Sequence, residues 1–420
     1  MFFNVEKNGA IGDGFFDNTK IIQKGIDEVS ASGGGTVYVE NGVYLTGSLR
    51  MKDNVTLHIA PSATLLGSSK SSDYPEWENL EHVNSEMLPR YRNACLILAH
   101  ECKRIAVTGG GTIDCNGKSF VKKKSENPEE WTGWGYIRID EPTPPRGIFA
   151  VGCKDVRIEG ITLLDAPAGW AFWIHDCENV LFDRCNVTSD VHLPNSDGIH
   201  INSCRNVVIS NCMIRSGDDS IVVRANNASL SENKVCESVT VTNCTLTSYA
   251  SGIRIGYVND GVIRNCVFSN IVMTDSDVGI CIELPKVRDR FDKKHVGAAD
   301  QGTEATLIEN ISFQNVMIDR NYAFAVKIFI DDSELTRCEA IRNIYFNAVR
   351  ARGLELLYLK GRENCKLENI RFSDCSFEKV SDSVLPDYVH HGAAAWDRKT
   401  GMPFLQNIKD IAFVNTSFSC

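Results

Sequence analysis

Two short acidic motifs carry the chemistry of this chain. Asn195-Ser196-Asp197 stands in NSDGIHI, and Gly217-Asp218-Asp219 stands in SGDDSIVV. Each runs straight into a short strand of alternating apolar residues. Three carboxylates gathered on one face suit the cleavage of a glycosidic bond with inversion. One carboxylic acid protonates the departing oxygen, and one or two carboxylates activate a water on the other side. A lone aspartate ahead of a strand usually just ends a turn. Three in register, beside the basic residues Arg224 and Arg254, point to function.

The elements that must bring them together are repeats. CKDVRIEGITLLD begins at Cys153, CENVLFDRCNVTS at Cys177, CRNVVISNCMIRS at Cys204 and CESVTVTNCTLTS at Cys236, with starts 24, 27 and 32 residues apart. Each unit has an Asn or Asp turn, a period-2 strand, a second turn and a second strand. That period, with β-branched strands and almost no helical periodicity, predicts a β-solenoid whose coils stack into one continuous core. The fold class is all-β: a single right-handed parallel β-helix spanning 1–420. Residues 1–35 form a cap region, where Ile21, Ile22, Ile26 and Val29 fall at helical spacing after Asp17-Asn18-Thr19. A short helix there covers the otherwise open edge of the first coil. Residues 70–93 and 285–306 interrupt the repeat and read as loops walling a groove, the first of them closing one end.

One strand per coil can be set in register: Gly198-Ile199-His200-Ile201, Ser220-Ile221-Val222-Val223, Gly252-Ile253-Arg254-Ile255, Gly279-Ile280-Cys281-Ile282 and Ala325-Val326-Lys327-Ile328. The aliphatic positions point inward. His200, Val222, Arg254, Cys281 and Lys327 then form a column expected to face solvent, with Asn202, Arg224, Gly256, Glu283 and Phe329 two residues on. Neighbouring strands lie about 4.8 Å apart, so Asp197 and the Asp218-Asp219 pair fall within one or two strand spacings.

The net charge is −10, and no basic stripe is present, so nucleic acid is not an expected partner. No run reaches the roughly 18 apolar residues of a membrane span. No signal peptide is visible, which places the chain in the cytoplasm unless a leader has been removed. The sixteen cysteines recur at fixed repeat positions and read as stacked buried thiols. No C-x-x-C pair suggests zinc, and no metal or other cofactor is expected. Gly109-Gly110-Gly111 lacks the strand–loop–helix setting and lysine of a phosphate loop and reads as a β-helix turn.

The two aspartate motifs, Gly9-Ala10-Ile11-Gly12-Asp13-Gly14, and Gly109-Gly110-Gly111-Thr112-Ile113-Asp114 together give the chain a resemblance, over nearly its whole length, to glycoside hydrolase family 28. These are the polygalacturonase-like enzymes of the pectin-lyase-like parallel β-helix superfamily. The resemblance implies catalytic roles for Asp197, Asp218 and Asp219. Asp218 corresponds to the general acid, Asp197 and Asp219 to the pair that positions and deprotonates water, and Asn195 to a groove-facing residue.

Two positions depart from the family pattern. Ser251 stands where the family has the histidine of Gly-His-Gly. Cys281-Ile282-Glu283 stands where it has Arg-Ile-Lys, the pair of bases that grips a galacturonate carboxylate. Glu283 is expected to repel such a carboxylate. Either Arg254, helped by Lys327 or Arg224, restores the positive charge, or the main subsite takes a neutral sugar whose hydroxyls Glu283 binds. Asn195, His200, Arg224, Ser251, Arg254, Glu283 and Lys327 are the candidate substrate-binding residues, with Trp170, Trp173, His390, His391 and Trp396 as further candidates. The expected activity is exo-acting hydrolysis of a pectin-derived or related cell-wall oligosaccharide with a non-standard sugar or linkage. A polysaccharide lyase with an arginine base, or a non-catalytic saccharide-binding solenoid, is the alternative. Nothing in the sequence fixes an oligomeric state.

Overall fold

The computed structural model describes residues 1–75, 94–127, 134–139, 144, 146–166, 169–288, 301–381 and 403–419. Within them, 32 strands join in one sheet, and each strand pairs in parallel with its counterpart one coil away. The right-handed crossover is the one that twisted strands favour, and the result is a right-handed parallel β-helix. The helix Thr19–Ala31 covers the first coils, burying Ile22, Ile26 and Val29. Asn18 precedes it but does not cap it with its side chain. That amide instead accepts from Ile11 N at 2.9 Å and donates to Phe16 O at 2.8 Å, tying the entering chain to the helix start.

Stacking repeats each inward position, so like side chains line up along the axis. Phe268, Phe313, Phe346, Phe372 and Phe413 form one such file, with ring centroids 4.5–5.1 Å apart. Cys102, Cys153, Cys177 and Cys204 form another, the thiols of the last three each accepting from the backbone N–H of the preceding member at 3.3–3.4 Å. Every described cysteine is a free thiol, as the repeat pattern predicts. At the turns Asn265, Asn310, Asn343 and Asn369 all hold left-handed backbone, and their amides bond from coil to coil at 2.7–3.1 Å. Asparagine tolerates that conformation better than other side chains, which is why the sequence repeats it there.

The strands that carry the site follow the expected register. His200 pairs with Val222, Val222 with Arg254, Arg254 with Cys281 and Cys281 with Lys327. Their exposure differs from expectation. His200, Val222, Cys281 and Lys327 point away from the core, yet all are buried. Neighbouring side chains cover the column, with Trp170 packed against His200 and Arg254, Glu283 and Lys327 joined across the Cys281 position.

Residues 76–93 and 289–300 of the two loops, and His390, His391 and Trp396, lie outside the described residues. The start of the first loop turns back on the solenoid, where buried Tyr74 donates its hydroxyl to Ser68 O at 2.6 Å. A wall absent from the sequence reading stands elsewhere. Strands Val121–Lys123 and Tyr136–Arg138 pair antiparallel as a separate hairpin.

Candidate active site

The two acidic motifs occupy successive turns, directly before the strands Ile199–Asn202 and Ile221–Arg224. Their approach depends on glycine. A Cβ on Gly217 would meet Leu193 O and Ser196 Oγ at 2.5 Å, so no larger residue lets the second turn seat against the first. Ser196 locks the seat, donating to Leu193 O and accepting from Gly217 N, both at 3.0 Å. Ser216 and Ser248 hydroxyls both donate to Asp218 O at 2.6 Å. The backbone of the acidic pair is therefore held from two coils.

The carboxylates of Asp197, Asp218 and Asp219 offer oxygens all within 4.8 Å of one another. Asp197 and Asp219 are buried and Asp218 is half-buried, so Asp218 meets the open cavity most directly. Asn195, in left-handed backbone, donates to Asp218 Oδ2 at 3.1 Å and accepts from Arg138 Nη2 at 2.8 Å. Asp219 Oδ1 accepts from Ser251 N at 2.9 Å, and its Oδ2 faces Arg254 Nη1 at 3.4 Å. Ser251 therefore acts through its backbone, which any residue supplies.

The remaining predicted residues take roles the sequence did not show. His200 lies beside Asp197, with Nδ1 3.6 Å from Oδ2, and is sealed against Trp170 with ring centroids 4.0 Å apart. Burial pushes its pKa well below the usual imidazole value, and Arg224, Arg146 and Arg254 push it further, so it is neutral. Arg224 is expected as a base for substrate. It makes a bidentate pair with buried Asp260 at 2.7–2.8 Å, with its guanidinium over Tyr257. Arg254 also lies over Tyr257, 4.9 Å from the ring centroid.

Glu283 is tied into an ion-pair network. Its two oxygens accept from Arg254 Nη2 and Lys327 Nζ. Burial alone would raise its pKa, but Lys327 and Arg254 outweigh burial and bring it down to about 2. Burial opposes the charge of Arg254 as well, and Glu283 with Asp219 overcomes it. Cys281 sits between the two cations in the register, its thiol pushed up to about 12 chiefly by burial. The three form one buried network two strand spacings long.

Asn195, the three aspartates, His200, Arg224 and Arg254 line a cavity of about 520 Å³ together with Lys124, Trp134, Tyr136, Arg138, Trp170, Tyr257 and Arg288. Trp173 stays out of it, stacked between Phe149 and His175. The hairpin supplies residues the sequence reading missed. Trp134 donates to Gly217 O at 2.6 Å, and Arg138 reaches Asn195. The one signal for them was the aromatic and basic run Trp134-Gly135-Tyr136-Ile137-Arg138, off the repeat but dense in sugar-binding residue types.

Carboxylates, aromatic rings and anchored guanidinia converging in one cavity of a β-helix define a solenoid equipped for glycosides. The chain matches the family model "Glycosyl hydrolases family 28" over residues 38–349, and it belongs to that family. It is 28% identical over 283 residues to a probable polygalacturonase of Vitis vinifera, covering 66% of this chain and 55% of that one. It is 26% identical over 317 residues to an exo-poly-alpha-D-galacturonosidase of Dickeya chrysanthemi, covering 66% and 51%. The chain thus spans about half the length of these two curated relatives. In fold it resembles the family 28 exopolygalacturonase of Yersinia enterocolitica, with a TM-score of 0.75 at 18% identity, covering all of this chain and 75% of the other.

Proposed function

We propose that the protein is an exo-acting, inverting glycoside hydrolase of pectin-derived oligosaccharides. The observation that carries this reading is the convergence of Asp197, Asp218 and Asp219 within 4.8 Å at the floor of the cavity. Asp218, the most open of the three, protonates the leaving oxygen. Asp197 and Asp219 hold and deprotonate the water. Their nearest oxygens are closer than the roughly 6.5–9.5 Å gap that inversion usually leaves, so inversion rests on family membership and not on this spacing. The exo-acting relative of Dickeya chrysanthemi supports exo action, and the hairpin places Trp134 and Arg138 against the acidic turns, beside the cavity.

The charge on the floor favours a non-standard sugar there. Around the floor, Arg224 is paired with Asp260, Arg254 with Asp219 and Glu283, and Lys327 with Glu283, so each of these cations already has a carboxylate partner. A uronate placed directly against Asp197 and Asp219 would meet like charge. Exposed Lys124 and Arg288 and half-buried Arg138 also line the cavity. The site therefore suits a mixed chain with a neutral sugar at the floor and an acidic one further out. Arg254, kept protonated by Glu283 and Asp219, is a poor base for β-elimination, which weighs against a lyase.

The test is a panel of defined oligosaccharides, some purely galacturonic and some alternating neutral and uronic residues. Release of single terminal sugars, with higher kcat/KM on the mixed chains, is expected. Faster cleavage of pure oligogalacturonate would overturn the neutral-sugar assignment. Unsaturated products, or none with any member, would overturn hydrolysis.

A further inference from the structure

The family's cationic clamp has been rearranged here into a network that points at the catalytic carboxylate instead of at substrate. The clamp positions hold a thiol and an anion, Cys281 and Glu283. Cations stand one strand to either side, Arg254 and Lys327. Glu283 accepts from both Arg254 and Lys327, which stand one strand to either side of Cys281.

The guanidinium has two ends, and both are committed. Nη2 is bound to Glu283, and Nη1 faces Asp219 Oδ2 at 3.4 Å. Its flat face lies over Tyr257. A planar fork bridges two carboxylates at a preset separation, whereas a lysine ammonium is a point charge whose rotatable donors set no such geometry. Asp219 has one other anchor, the Ser251 amide on Oδ1 at 2.9 Å. Two anchors on two oxygens fix the plane of the carboxylate.

We propose that Arg254 is the positioning residue for Asp219, and that Glu283 and Lys327 form its brace. Arg254 then serves the water-activating step and does not grip the sugar. This inference rests on the hydrolase reading for its kinetic arm only.

The experiment pairs kinetics with structure. R254K and E283Q are made as single variants, with R254Q/E283Q added because R254Q alone strands a buried anion. On whichever panel oligosaccharide is cleaved, R254K and E283Q should lower kcat about 10- to 100-fold with KM within about twofold, the mark of an interaction made mainly in the transition state. Added guanidinium ion should restore part of the activity of R254Q/E283Q. In a D219N background, R254K should cost nothing further, since both changes remove one function. A rise in KM at unchanged kcat, or full additivity with D219N, would overturn the proposal and make Arg254 a substrate clamp. Crystal structures of the same variants need no substrate. Asp219 should rotate off the Ser251 amide in R254Q/E283Q, and an Asp219 left in place would overturn the proposal even if no panel member is cleaved.

Discussion

The interior and the site face of this solenoid are built on the same strands and obey opposite rules. Inside, each coil repeats its neighbour, so phenylalanine stacks on phenylalanine and cysteine on cysteine. On the site face no two successive coils agree. One outward column runs His200, Val222, Arg254, Cys281, Lys327. Repetition allows identical side chains to share one packing solution at every level. A reaction needs different groups at fixed places, so the site face abandons repetition and holds its members by cross-coil hydrogen bonds and ion pairs. Stability and chemistry are thereby separated onto two sides of one backbone.

Substitutions on the two sides should therefore fail in different ways. The largest effect is expected at Asp218. D218N should reduce kcat by about 10²–10⁴-fold, the usual contribution of a general acid, with an unchanged denaturation midpoint. Next is the interior. Phe313 is fully buried, with stacked neighbours centred at 4.9 and 5.0 Å. F313A should cost about 3–5 kcal/mol in urea unfolding while the folded fraction keeps its kcat.

Acid titration probes the point where the two rules meet. Glu283 is ionised in the fold down to about 2, whereas an ordinary glutamate takes up its proton near 4.5. Its stabilising effect is present above about pH 4.5 and lost as pH falls toward 2. His175, held at about 3 mainly by burial, adds a decline that starts near 6.5, because the unfolded chain protonates first. Wild-type stability should fall across both windows, by a few kcal/mol in total. In E283Q the lower window should flatten and the upper one remain, as read from urea midpoints at several pH values. The smallest effect is expected at a turn. N343A removes one rung of the asparagine file and strains a backbone at φ 56°, for about 1–2 kcal/mol and no change in kcat.

Much of this was legible in the sequence because repetition makes spacing informative. The turn asparagines and the alternating aliphatics fix the coil register, and stacking then forces Asp197 toward Asp218 and Asp219. What escaped was anything that leaves the repeat. Strand parity shows that His200 and Lys327 point outward but not that neighbours cover them. Arg224 answers to Asp260, 36 residues on, and no local pattern announces that pair. Nor does the sequence show that Arg254 and Lys327 sit on the two oxygens of Glu283. The hairpin bearing Trp134 and Arg138 pairs antiparallel and belongs to no coil, so its contact with the two acidic turns follows from tertiary packing alone.

The central claim is that Asp218 donates a proton while Asp197 and Asp219 deliver water in a single displacement. The most direct measurement is the anomeric configuration of the sugar released in the first moments of cleavage, followed by proton NMR before mutarotation. A first product of opposite configuration to the bond cleaved is the result expected. A first product of the same configuration, or an unsaturated uronide, would contradict the account.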